Sequence, residues 1–325
     1  MLKAIVRYVP VACAAAAMAA VVLVGPGCDK GGPGGGAAKG KPRVALVMKS
    51  LANEFFKTME DGARAHQQAH ADQYELIAQG IKNEEDVQKQ IDIVDQMISQ
   101  RVDAIVIAPA NSKALVPVCK RAIDRGIKVV NIDNKFDAAV LADQKASIPF
   151  VGPDNRAGAR KAGQVLAGKL KAGDEVAIIA GIPDAFNGVQ RRAGFEDAAK
   201  AAQLKIVAVQ SAYWEMNKAS DVAAALLNEH PNLKGLLCAN DSMALGAASA
   251  ILRAGKKDQV LLVGFDNIQA ARELLKEGRL LATVDQHGDQ IAVNGIKHAL
   301  ELLQGAEPGA DQETPADLIT QADVK

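Results

Sequence analysis

Seven short stretches of the chain end in side chains able to make paired hydrogen bonds. They are Lys49-Ser50, Asn111-Ser112, Asp133-Asn134, Asp184 with Asn187, Asn240-Asp241, Asp266-Asn267 and Gln286-His287. Each closes or follows an apolar, β-rich run, and one or two of them would be ordinary helix caps. Seven exceed what capping needs, although Asp184 and Asp241 are expected to cap. Amides and carboxylates in such numbers suit a ligand made of hydroxyls that both donate and accept. The chain is also poor in aromatics, with seven Phe, three Tyr and one Trp, yet Phe55-Phe56 and Tyr213-Trp214 are adjacent pairs. Neighbours on a helix point about 100° apart, so Phe55 and Phe56 cannot both face one core stripe. The C–H faces of a sugar lie flat on aromatic rings, which gives the second ring of each pair a use; core packing is the plainer use, above all for Phe55.

The runs that position these residues are 43–48, 74–78, 103–109, 128–133, 149–154, 175–180, 205–210, 235–240, 260–266 and 281–286. They are continuously apolar rather than alternating, as in strands covered on both faces. Between them lie helical patterns such as 85–100, where Val87, Ile91, Val94, Met97 and Ile98 share a face. Strand–helix alternation predicts an α/β protein with doubly wound parallel sheets, and ten strands predict two sheets. In such sheets ligands bind outside the carboxyl ends of the strands, where the polar residues fall.

The first 27 residues read as an export signal: Lys3 and Arg7, an uncharged run from Val9 to Val24, then Gly-Pro-Gly. That run of 16 residues is shorter than the roughly 20 of a membrane span. Residues 28–41 read as a Gly-rich linker. Gly35 to Lys41 fits part of a phosphate loop, but Pro42 takes the place of the Ser or Thr and no strand precedes it. Without Lys3 and Arg7, 36 basic residues face 38 acidic ones, a net charge of −2 with no basic patch for nucleic acid. Cys119 and Cys238 lie in apolar stretches and are expected as buried thiols; no zinc-type spacing occurs.

From residue 43 to the end the chain resembles the periplasmic sugar-binding proteins of the ribose/allose type. The stretches that carry the resemblance are "ALVMKSLANEFF", "IAPANS", "VVNIDNK", "QRRAGFEDA", "LCANDSMALGA", "LVGFDN" and "ATVDQ", in order and at the right spacing. Lys49 before "SLANEFF" and Trp214 in "AYWEMNKA" point to the allose-binding branch. The resemblance implies two α/β domains, 42–153 with 287–316 and 154–286 with 317–325, joined by three crossovers that act as a hinge. It implies that Lys49, Asn53 and Asp133 bond sugar hydroxyls from the first domain, with Asn134 beside them. Arg191, Asn240 and Asp266 would do so from the second and Gln286 from the hinge, while Phe56 and Trp214 stack on the sugar and Phe55 lines the wall. It implies a monomer without cofactor that hands a monosaccharide to the permease of an ATP-driven importer; whether a chemoreceptor is a second partner is left open by the sequence. Signal, Cys and linker resemble a periplasmic lipoprotein anchored through Cys28, although Gly25 replaces the usual Leu and Pro26 is unusual. Within the site, Glu54 stands where Pro is usual, Asn134 where Arg or Glu is common, and His287 where an apolar residue is usual.

Three rival functions make different demands on the sequence. For an enzyme, no G-x-S-x-G, H-E-x-x-H or dinucleotide fingerprint occurs. His66 and His70 read as a solvated helix face, and Asp133 with Asp266 makes a poor hydrolytic pair because Arg191 is expected to lower their pKa values. A repressor with this core needs an N-terminal helix-turn-helix, where this chain has a leader. A binding protein for a furanone, nucleoside or inositol would keep the fold and change only the rim.

Overall fold

The apolar runs form strands and the periodic segments between them form helices. In the computed structural model residues 40–324 are described, so the leader, most of the linker and Cys28 lie outside the described residues. The first sheet has the order β11-β5-β4-β3-β1-β2 and the second β12-β10-β9-β8-β6-β7. Both are doubly wound, with β1 (Arg43–Ser50) and β6 (Glu175–Ala180) at the points where the winding reverses. Strands β1 to β5 pair in parallel in the first sheet and β6 to β10 in the second. The ten expected strands are present.

Two more strands escape the sequence reading: β11 (Gln312–Thr314), parallel to β5 (Phe150–Pro153), and β12 (Asp317–Thr320), antiparallel to β10 (Ala282–Asp285). Each is short and sits at a sheet edge; β11 is polar, and β12 has only Leu318 and Ile319, both part-buried, so neither carries a fully buried apolar run. The path explains their place. The chain leaves the first sheet after β5 and builds the second as far as β10. It returns with α10 (Gly288–Leu303), which packs on α1 (Glu54–Ala69), β3 (Ala104–Ile107) and β4 (Lys128–Ile132). It then adds β11 to the first sheet and β12 to the second. Below, "first lobe" and "second lobe" mean each sheet with its helices.

Burial on both faces accounts for the unbroken apolar strands. In β1, Val44, Leu46 and Met48 join one core cluster while Ala45 and Val47 join the cluster beneath α2 (Val87–Ser99) and α3 (Val116–Asp124). Residues Lys41–Lys325 make one compact unit, so the two lobes are packed together. Gln90, on the core side of α2, is fully buried; its amide donates to the carbonyls of Met48 and Ala108 at 3.1 and 2.9 Å and accepts from Ala110 N–H at 2.7 Å. One buried amide thereby ties the carboxyl ends of β1 and β3 in register where polar side chains emerge.

Candidate functional site

The carboxyl ends of both sheets face each other across a narrow cleft with about 10 Å³ of free space, room for about one water. Ten of the eleven expected ligand residues line it. From the first lobe come Lys49 at the end of β1, Asn53 at the cap of α1, Phe55 and Phe56 in its first turn, and Asp133 just past β4. From the second come Arg191 on α6 (Phe186–Ala201), Trp214 after β7 (Lys205–Ser211), and Asn240 at the cap of α8 (Asp241–Arg253). Asp266 follows β9 (Leu261–Val263) and Gln286 follows β10. Glu84, beyond β2 (Glu75–Ile81), and Asn187, one turn before Arg191 on the same face of α6, complete the lining and were not foreseen. The eleventh, Asn134, is not part of the lining: its side chain donates to Pro109 O at 2.8 Å and accepts from Ser112 Oγ and Asn187 N–H at 3.3 and 3.2 Å.

Each lobe carries its own buried ion pair. Lys49 Nζ lies 3.3 Å from Glu84 Oε2, and Asn53 donates to Glu84 Oε1 at 3.3 Å. In the second lobe Arg191 Nη1 lies 3.2 Å from Asp266 Oδ1, which also accepts from Gln286 Nε2 at 2.7 Å. Arg191 further donates from Nε to Asn155 Oδ1 at 2.8 Å and from Nη1 to Ala239 O at 3.0 Å, and its guanidinium lies 3.8 Å from the centre of the Phe265 ring. Phe265 is a support the sequence reading missed. Arg192, not Arg191, makes the helical pair with Glu196.

The aromatic pairs divide their labour. Phe55 and Phe56 meet edge to face with centroids 5.2 Å apart, a favoured geometry. Lys49 Nζ sits 5.4 Å from the rings of both Phe56 and Trp214, so these rings approach the same point from opposite lobes. Trp214 rests on Gly181, where a Cβ would lie 2.1 Å from the indole. Asp133, Trp214 and Asp266 adopt φ of 60°, 70° and 125°. Non-glycine residues there are strained, and such strain concentrates at functional sites.

Burial raises the pKa values of Glu84, Asp133 and Asp266. Arg191 does pull Asp133 and Asp266 down, as expected from sequence, but losing water outweighs it and the net direction is upward. Burial likewise lowers Arg191, against the pull of Asp266 and Asp133. Three buried acceptors in the lining lack a hydrogen-bond donor from the protein, Asp133 Oδ2, Asn187 Oδ1 and Gln286 Oε1, while Glu84 Oε2 has only the Lys49 ammonium at 3.3 Å. One donor, Trp214 Nε1, lacks an acceptor. Buried polar groups are normally paired; with the Lys49 ammonium and the Nη2 of Arg191 also in the lining, the cavity is built for a molecule whose groups both donate and accept. Elsewhere, His66 and His70 stack at 4.2 Å with His66 bonded to the Tyr74 hydroxyl, Cys119 and Cys238 are buried free thiols, and no cluster of metal-ligating side chains occurs among the described residues.

Known proteins carry the same architecture. Residues 44–307 match the family described as a periplasmic binding protein domain. The chain is 60% identical over 284 residues to the D-ribose/D-allose-binding protein of Pseudomonas aeruginosa, covering 86% of this chain and 89% of that protein. It is 38% identical over 256 residues to the D-allose-binding periplasmic protein of Escherichia coli, covering 78% and 82%. A crystal structure of an ABC transporter periplasmic solute-binding protein from Actinobacillus succinogenes with bound D-allose superposes with a TM-score of 0.83 at 33% identity, over 87% of this chain and 99% of the other. Matching fold, chain coverage and family signature agree: this chain belongs to the periplasmic binding protein family.

Proposed function

We propose that this chain is the substrate-binding component of an ABC-type sugar importer and binds a monosaccharide of the allose/ribose kind between its lobes. The observation that carries this reading is the set of unpaired groups in the cavity: three buried acceptors beside the Trp214 indole N–H and the free Nη2 of Arg191, with aromatic rings from both lobes. A sugar hydroxyl can donate to a carboxylate and still accept from an ammonium or indole N–H, while its C–H faces lie on Phe56 and Trp214. Lys49, Asn53, Asp133, Arg191, Asn240, Asp266 and Gln286 are the proposed hydroxyl ligands, to which Glu84 and Asn187 are added. Residues 42–153 with 287–316 and 154–286 with 317–325 move as domains about three crossovers. Ligand favours the closed form only through contacts that are better there; residues from both lobes supply them. The closed form is presented to the importer's membrane permease, and a chemoreceptor is a second docking partner. Export to the periplasm and anchoring through lipidated Cys28 complete the proposal.

Titration calorimetry of residues 29–325 with ribose, allose, xylose, galactose, glucose and myo-inositol, with Trp214 fluorescence read in parallel, tests it. One-to-one binding of a single monosaccharide with a change in Trp emission is expected. Silence across the panel refutes the monosaccharide reading.

A further inference from the structure

Three helices of the second lobe, α6, α7 (Met216–Glu229) and α9 (Gln269–Lys276), begin without a side-chain cap, and in α6 and α9 the cap residue has no acceptor to offer. The cap position of α6 is Ala185, one residue past Asp184, and that of α9 is Ile268. Neither side chain has an acceptor, and the first N–H groups of a helix need one. By contrast α1, α5 (Asn155–Ala167) and α8 are capped from within by Asn53, Asp154 and Asn240.

The missing acceptors come from the opposite lobe. Ser112 Oγ accepts from Phe186 N–H at 3.0 Å and Asn134 Oδ1 from Asn187 N–H at 3.2 Å, at the start of α6. Glu54 Oε1 accepts from Gln269 N–H at 2.7 Å, at the start of α9. The first-lobe side is braced in advance: Ser112 bonds Asn134 and Asn134 bonds Pro109 O, independently of the second lobe. Glu54 also brings a carboxylate to the positive end of the α9 dipole. The helix capped twice is the one that carries Asn187 and Arg191 into the cavity.

We propose that Ser112, Asn134 and Glu54 are positioning residues that form a closure latch: they cap in trans two helices that go uncapped when the lobes part, and so set how long the closed form holds its ligand. None of the three lines the cavity. The latch accounts for Ala and Ile at the cap positions of α6 and α9. Opening hands the freed N–H groups to water, so each trans cap is worth about an ordinary cap, equivalent to about a five-fold change in the closing equilibrium.

The test rests on the sugar-binding reading for one of its two readouts. Glu54→Ala and Ser112→Ala are compared with wild type and with Glu54→Gln, which keeps the acceptor. D-allose and D-ribose dissociation is followed by stopped-flow Trp fluorescence. The ligand-free closed fraction is followed by energy transfer between one dye on each lobe. Dissociation about five-fold faster in each Ala variant is expected, with the ligand-free melting temperature held and Glu54→Gln near wild type. Wild-type dissociation in both Ala variants overturns the latch, as does a fall in melting temperature that parallels the loss of affinity. If wild type binds neither sugar, the cargo reading fails by itself. The closed fraction then decides: a fall in both Ala variants, absent in Glu54→Gln, supports the latch, and no change overturns it.

Discussion

Replacing Arg191 with Met separates what the guanidinium does for the protein from what it does for a ligand. Of its five N–H donors, Nε–H goes to Asn155 and the Nη1 donors go to Ala239 O and Asp266. Nη2 makes no hydrogen bond among the described residues, which leaves two donors for the cavity. Methionine keeps much of the aliphatic volume over Phe265 and removes all five. For the ligand-free protein the dominant cost is a buried Asp266 without its cation, about 3–5 kcal/mol for breaking a buried pair from one side. At roughly 2–4 °C per kcal/mol for a chain of this order of size, melting falls by about 6–20 °C. For binding, one lost charged hydrogen bond is worth about 1.5–3 kcal/mol, or a loss of about 10- to 150-fold in affinity for whichever panel sugar wild type binds. The second variant, Arg191→Met with Asp266→Asn, removes the orphaned carboxylate as well. It is expected to recover most of the melting temperature and none of the affinity. Calorimetric titration and thermal melts on the four proteins of the cycle measure both. Binding by Arg191→Met within three-fold of wild type refutes the assigned role, and a double variant less stable than Arg191→Met refutes the ion-pair account.

Asp241, buried under Thr283 and Gly264, has its pKa pushed up by burial to about 7 from 3.8, against the pull of its bonds from Thr283 and backbone N–H groups. A raised carboxyl adds stability that is complete below the unfolded value and lost as pH climbs through the folded one, so up to about 4 kcal/mol disappears between roughly pH 4 and 7. Asp241→Asn is therefore expected to flatten the stability difference between pH 5 and 8 in urea denaturation; an unchanged difference contradicts the assignment. Gly181→Ala puts a methyl 2.1 Å from the Trp214 ring, so a cost of about 1–3 kcal/mol, shifted Trp emission and weakened sugar binding are expected, and wild-type emission with wild-type affinity rules out the contact. Glu84→Gln keeps a side-chain carbonyl for Asn53 but strips Lys49 of its counter-ion, at about 3 kcal/mol of stability; a variant as stable as wild type shows that Asp133 alone neutralises Lys49.

The alternation of apolar runs and helical faces made both sheets legible, because strands buried on two faces leave unbroken Val, Ile and Leu runs. β11 and β12 were not legible, since three or four residues with at most two part-buried apolar side chains leave no run to read. Lys49, Asp133, Asn240, Asp266 and Gln286 were readable as polar residues at strand ends. Glu84 sits at the same kind of place, after β2, and was missed because "KNEED" reads as a solvated charge run; counting that strand end with the others was the signal available. Asn187 was noticed as polar but not assigned, since its face of α6 is fixed only once the cap falls on Ala185 rather than Asp184. Asn134 was assigned to the ligand by its neighbour Asp133, yet φ of 60° at Asp133 turns the two side chains to different tasks. The trans caps depend on two lobes meeting, and no local pattern encodes that.

The charge arrangement explains how such a cavity can open and close at all. Buried ions are costly to desolvate, and the cost is contained only when each has a partner. Lys49 pairs with Glu84 inside the first lobe and Arg191 with Asp266 inside the second, so neither pair has to be made or broken when the lobes move. Asp133 is the remaining carboxylate, drawn by Lys49 in its own lobe and by Arg191 across the cleft. Among these charges the attraction between Asp133 and Arg191 is the one that crosses the cleft, and Asp133 has an oxygen, Oδ2, without a donor. Burial holds the pKa values of Glu84, Asp133 and Asp266 above their ordinary range, so this dry space resists further negative charge, as an anionic sugar acid or phosphate would bring. A neutral polyol instead donates to the open acceptors and adds no charge.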